Sequence, residues 1–310
     1  MSRTPPRPYP QPAPARPLGT PLVAVVGSGD ALVEAADLTA RSIHEEAPAL
    51  RVLLADFTLD GSLRAAHPAR PGEIGLTDLA GPGARPGGAA ATERLAGLFD
   101  RTPSGLAFVP GLPHHRDWIH LPTGGAERAL GHLRSAADAV VVAVDPDLEG
   151  EDDTGSFDIE DRNQLARTAV ALAGTVVSAS TATRTGVDGQ ARFLRDLQAF
   201  GVPVERTWIV LAPPALRPAD RHLRMSRRPW HGPRWEGRVV VLPHPTRTWA
   251  RAPRQLASLA SAVLAAPTCP SVQLGRSAGP LGELVLPGEL GHWMGDEDAG
   301  WMMPNVPQHP

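Results

Sequence analysis

The stretch Leu22-Val-Ala-Val-Val-Gly27-Ser-Gly-Asp30-Ala-Leu-Val-Glu34-Ala-Ala36 decides the fold. Its first five residues are all apolar and leave no polar face, which predicts a strand buried on both sides, as in a parallel sheet. Gly27 and Gly29 mark a turn, and a helical pattern follows over about 30–46. Strand, glycine turn and helix together open a βαβ unit.

Six further runs have the same short, β-branched, two-sided apolar character. They are 51–55, 106–109, 139–144, 175–178, 208–211 and 238–242. Helices are expected between them near 124–136, 161–173, 187–200 and 253–265. The clearest carries Val187, Ala191, Leu194, Leu197 and Phe200 on one face and stops at Gly201. This alternation predicts an α/β fold: a doubly wound, mostly parallel sheet of about seven strands. Val23–Val26 is expected at its centre, flanked by the strands at 51–55 and 139–144.

Composition bounds the rest. Of 310 residues, 31 are Gly and 34 are Pro. Eight prolines crowd residues 1–21, so 1–20 reads as a disordered tail, 21–266 as the α/β domain, and 267–310 as a second Pro/Gly-rich, mostly disordered tail. No run of eighteen apolar residues exists and no signal pattern opens the chain, so a cytoplasmic protein is expected. The single Cys269 forms no intrachain disulfide. All 30 basic residues are arginine. Chemistry that needs a lysine ammonium, from Schiff bases to the phosphate-binding lysine of P-loops, is therefore excluded.

In open parallel sheets ligands bind beyond the carboxyl ends of the strands. The loops after Val26, Ala55, Val144 and Leu211 are thus the candidate site. The glycine turn at 27–29 has the form of a phosphate loop, and equally that of any tight strand–helix turn.

On these residues the chain resembles the MinD/ParA-type P-loop ATPases, and most of all pilus- and secretion-associated actinobacterial relatives. The likeness runs over roughly 21–266. It takes in the glycine turn, Val52-Leu-Leu-Ala-Asp-Phe-Thr-Leu-Asp-Gly-Ser-Leu63, Gly75-Leu-Thr-Asp-Leu79, Pro103-Ser-Gly-Leu-Ala-Phe-Val-Pro110 and Ala137-Asp-Ala-Val-Val-Val-Ala-Val144. It continues through Phe193–Pro203 and Trp208-Ile-Val-Leu-Ala-Pro213. The resemblance implies a nucleotide site at Gly27, Ser28, Gly29, Asp30, Glu34, Asp56, Thr58 and Asp145. Each key position departs from the family pattern. Val33, Glu34 and Ala35 stand where Gly-Lys-Ser/Thr is wanted, and Gly29 replaces the signature lysine. Thr58, Ala143 and Ala212 replace the switch carboxylates and the adenine-contacting Asn.

Helix N-termini attract phosphate through free N–H groups and the helix dipole. Here Asp30 is expected to cap the helix, and Glu34 and Asp37 add negative charge. A triphosphate would meet like charge with no cation, at a cost on the order of several kcal/mol. Arg64 or Arg184 could replace the lysine in a rescued site.

Three other constellations stand out. Asp145 to Asp161 carries nine carboxylates and no basic residue. Asp145, Asp147, Glu149 and Gly150 match half a calcium loop, but Ser156 holds the twelfth position and Pro146 interrupts it. A solvated acidic loop or a docking site for a basic partner fits the pattern better, and no metal is expected. His114, His115 and His120 lie close together, but no Cys or Glu completes a zinc set. From Arg217 to Arg254 ten arginines oppose Asp220 and Glu236, with Trp230, Trp235 and Trp249 interleaved. This segment, centred on Arg224, Arg227, Arg228, Trp230 and Trp235, is the candidate partner surface.

The expectation is a non-catalytic MinD/ParA-like pseudo-ATPase with no cofactor, acting as a protein-binding or self-associating module. The rival readings are a divergent ATPase that binds ATP and magnesium through arginine, and a nucleic-acid-binding relative.

Overall fold

Seven strands form a single all-parallel sheet in the order β3-β2-β4-β1-β5-β6-β7. The strands are β1 (Leu22–Val26), β2 (Val52–Asp56), β3 (Leu106–Val109), β4 (Ala139–Val144), β5 (Thr175–Thr181), β6 (Thr207–Ala212) and β7 (Val239–Val241). This computed structural model describes residues 19–68, 72–81, 88–100, 106–213, 238–242 and 256–265. The tails called at 1–20 and 267–310 lie outside these residues, except for Gly19 and Thr20. Thr20 is buried and its hydroxyl donates to the carbonyl of Arg134.

The two-sided apolar pattern has a direct structural cause. Leu22, Ala24 and Val26 of β1 enter one buried cluster, while Val23 and Val25 enter the other. β4 divides in the same way, with Val140, Val142 and Val144 on one side and Ala139, Val141 and Ala143 on the other. Helices α1 (Gly29–Glu46) and α8 (Ala257–Ala265) cover the second face. Helices α2 (Leu76–Ala80), α3 (Ala89–Asp100), α4 (Gly125–Ala136), α6 (Phe157–Leu172) and α7 (Arg184–Ala199) contribute to the first, and the single turn α5 (Glu151–Thr154) packs on α6. With both faces covered, most strand positions carry apolar side chains, and the buried exceptions are Asp56, Thr175, Ser178 and Thr207.

β1 is central, but its neighbours are β4 and β5. The expected contact with the strand at 51–55 is absent because β4 inserts between β1 and β2. α2 and α3 carry no sequence signal strong enough to have been expected, being short and set among Gly and Ala.

Arginines fix several connections by donating to backbone carbonyls. Arg128 reaches the carbonyls of Thr123 and Ala80, Arg167 that of Leu148, Arg206 that of Ala173, and Arg238 that of Val204.

The entry to α7 is tightly packed. Thr183 caps it, accepting from the Gly186 N–H at 3.1 Å, and the Ser180 hydroxyl donates to the Gly186 carbonyl at 2.8 Å. A Cβ on Gly186 would lie 2.2 Å from the Thr181 carbonyl oxygen, whereas one on Gly189, a turn later, would meet nothing within 4 Å. Gly186→Ala should therefore destabilise the protein by about 2 kcal/mol or more through overpacking. Gly189→Ala should stabilise it by roughly 0.5–1 kcal/mol by relieving helix-interior glycine. Paired urea melts would show the opposite signs.

His132, on the inner face of α4, is fully buried, and neither ring nitrogen has a hydrogen-bond partner. Burial depresses its pKa. The unfolded chain thus takes up a proton at a higher pH than the folded one, and stability falls as pH drops below the ordinary histidine value. His132→Leu should raise the thermal midpoint, and the gain should be larger at pH 5 than at pH 8.

Candidate functional site

The carboxyl ends of β1, β2 and β4 meet where the site was expected. α1 begins at Gly29, so only Gly27 and Ser28 separate it from β1. Residues 29–35, which a phosphate loop would use to wrap an anion in successive N–H groups, are already helical. Ser28 occupies the N-cap position without a side-chain cap bond, and Gly29 takes a positive φ of 55°. Asp30 is therefore not the cap. It is exposed in the first helical turn, because the helix starts two residues earlier than an Asp30 cap would require. Gly27 is glycine for packing: a Cβ there would sit 2.7 Å from the carbonyl oxygen of Ala179 on β5.

Beside this turn lies a cavity of about 310 Å³ lined by Asp30, Val33, Glu34, Asp37, Thr181 and Ala212, among others. Of the residues to which the resemblance assigns a nucleotide site, Asp30 and Glu34 line it. Three carboxylates face it. Asp37 is held by Arg41 at 2.9 Å and by His67 at 3.2 Å. Burial pushes its pKa up, but these partners outweigh that and hold it below the ordinary value. His67 in turn stacks on Phe108, with ring centroids 4.8 Å apart.

The loop after β2 is organised by Asp56, which is almost wholly buried. One carboxylate oxygen accepts from the Thr58 N–H at 3.0 Å and the Thr58 hydroxyl at 2.6 Å; the other accepts from the Leu63 N–H at 3.0 Å. The Thr58 oxygen accepts from the Ser62 N–H at 2.9 Å. Asp56 and Thr58 thus spend their hydrogen-bonding capacity on shaping the turn Ser62–Ala65. Burial raises the Asp56 pKa despite these bonds.

Asp145 follows β4 and accepts from the Leu59 N–H at 2.7 Å, tying two loops 86 residues apart. Burial pushes its pKa from 3.8 to about 6, helped by the nearby charges of Asp60 and Asp56. Asp60 escaped the sequence reading, although its place four residues beyond Asp56 on a strand-end loop was a visible signal.

ATP and magnesium do not fit the residues present. The resemblance would place the phosphate-binding lysine at position 34 and the magnesium-binding hydroxyl at position 35, and here these are a carboxylate and a buried methyl. Arg64 donates to the carbonyls of Leu112 and Pro113, at 2.6 and 2.8 Å, and is turned to loop support. Arg184 is exposed at the start of α7. Among the described residues no group of three or more His, Cys, Asp or Glu side chains is arranged to hold a metal ion. In the acidic stretch, Asp147 accepts from the Glu149 N–H and pairs with Arg162, Asp153 accepts from the Gly150 N–H, and Glu160 from the Glu151 N–H. His114, His115 and His120 are exposed. Arg224, Arg227, Arg228, Trp230 and Trp235 lie outside the described residues. No helix among the described residues is long and apolar enough to cross a membrane.

The Asp145 carboxyl carries a measurable prediction. Its folded pKa lies above the unfolded value, so its contribution to stability is complete below about pH 4 and is lost as pH rises through 6. Asp145→Asn keeps a carbonyl acceptor for the Leu59 N–H and removes the buried charge. Allowing for its partial exposure, the variant should be more stable than wild type by about 1–2 kcal/mol at pH 8. The gap should close towards pH 4 in denaturant titrations at the two pH values.

No family profile matches the chain, and no curated protein matches it. Solved structures do. A ParA family ATPase from Chlorobium tepidum aligns at 15% identity over 73% of this chain and 86% of its own, with a TM-score of 0.48. A plasmid partition protein from Borrelia burgdorferi aligns at 12% identity over 77% and 90%, with a TM-score of 0.45. The septum site-determining protein MinD from Pyrococcus horikoshii aligns at 14% identity over 72% and 81%, with a TM-score of 0.44. The likeness is one of architecture; in this chain an all-parallel seven-stranded sheet has a glycine turn leading from its central strand into α1.

Proposed function

We propose that this chain is a non-catalytic MinD/ParA-like module that works by binding protein. The observation that carries this reading is the β1–α1 junction. The segment that would cradle phosphate is wound into helix from Gly29, and the adjoining cavity presents Asp30, Glu34 and Asp37. Phosphoryl transfer depends on cationic positioning and on metal, and these residues supply neither. The carboxylate that ends β2, Asp56, is engaged by three donors. A partition-, septum- or secretion-related role, with no resident cofactor, accords with the resemblance. The rival, an ATPase with arginine in place of lysine, loses support from the Arg64 bonds to Leu112 and Pro113.

Isothermal calorimetry of the full chain with ATP and ADP, with and without magnesium, tests the reading. No saturable binding is expected up to millimolar nucleotide. Glu34→Lys should not create magnesium-dependent binding either, because reversing one charge leaves residues 29–35 helical. Tight magnesium-dependent binding by the unmodified protein would overturn the proposal.

A further inference from the structure

Resting on the protein-binding reading, a candidate docking surface lies on α6 and the single-turn helix at 117–120. Phe157 and Ile119 are the large apolar side chains left most exposed among the described residues, at 69% and 62%. Phe157 is the first residue of α6, and Ile119 lies in the single-turn helix Asp117–His120, which packs against α6. Under them the fold is solid: neighbouring Trp118 packs on the core cluster and Leu148 is buried within it.

Phe157 lies within a concentrated run of negative charge. Glu149, Asp152, Asp153, Asp158 and Asp161 are all exposed on α5, α6 and the loop leading to them. Within this stretch Asp147 pairs with Arg162 at 3.8 Å. Arg116 stands at the border of the surface on the Ile119 side. Exposed aromatic area ringed by carboxylates repels nucleic acid and anionic lipid alike. It suits a polypeptide that brings guanidinium groups for the carboxylates and a flat apolar side chain for Phe157.

The complement is encoded in the same chain. Residues 217–254 hold ten arginines against two acidic residues, with three tryptophans among them. We propose that the Phe157/Ile119 surface with its exposed carboxylates is the docking face for the Arg221–Trp235 segment of a second copy of this chain. On this arrangement, association needs no nucleotide.

Sedimentation velocity of the full chain over a wide concentration range, without nucleotide, tests it. Wild type should self-associate, and raising salt from 50 to 500 mM should weaken association. Phe157→Ser should weaken it at least tenfold. So should the triple reversal Glu149→Arg, Asp152→Arg, Asp161→Arg, and the opposite reversal Arg224→Glu, Arg227→Glu, Arg228→Glu. The thermal midpoints of these variants should stay near wild type, since each altered described residue is exposed. Mixing the two reversed chains should restore association between them. Three results would overturn the proposal: a monomer at all concentrations, including one whose segment docks within its own chain; association indifferent to the reversals; or mixed reversed chains that stay apart. ATP hydrolysis by wild type together with the expected reversal pattern would refute the pseudo-ATPase reading and leave this docking face standing.

Discussion

β1 is hydrogen-bonded on both sides, to β4 and β5, and buried on both faces. That double enclosure is the constraint from which the rest of the structure follows. All five residues of this strand are apolar, and the chain leaving it turns at once onto α1. The turn is tight enough that Gly27 lies against the carbonyl of Ala179. Everything that could act chemically hangs from the carboxyl end of this strand and its neighbours.

At that end the polar groups serve the protein's own loops. Asp56 gathers the turn Ser62–Ala65, Asp145 ties the loop after β4 to Leu59, and Arg64 holds the segment Leu112–Pro113. Buried carboxylates satisfied by backbone N–H groups rigidify a loop and are costly to leave unpaired. Asp56 and Asp145, two positions where the resemblance implies nucleotide chemistry, each accept loop N–H groups, and burial raises the pKa of both.

Much of the architecture was legible because two-sided burial leaves a plain trace. Strands 106–109 and 139–144 have the bounds the sequence indicates, and the helix after Thr183 is marked by its apolar face. Neighbour order was not legible: the sheet crosses over, and nothing within Val52–Asp56 records that β4 will insert beside it. Asp30 misled because cap preference is a local rule, whereas the helix start is set by how closely β1 approaches β5. The pairing of Asp145 with Leu59, and of Asp37 with His67, joins residues far apart in sequence and leaves no spacing to read. The helical winding of residues 29–35 likewise depends on the turn length that the surrounding sheet permits.

The arginine clamps on backbone carbonyls have a practical consequence. A guanidinium keeps its charge across the whole physiological range, and acyl groups that neutralise lysine do not react with it. Loops held by Arg64, Arg128, Arg206 and Arg238 are therefore insensitive to side-chain acetylation. Amine-reactive cross-linkers find no side chain to join, because the chain has no lysine. Dicarbonyl reagents, which modify guanidinium groups, would instead report on loop opening, since each clamp must release its carbonyls before it reacts.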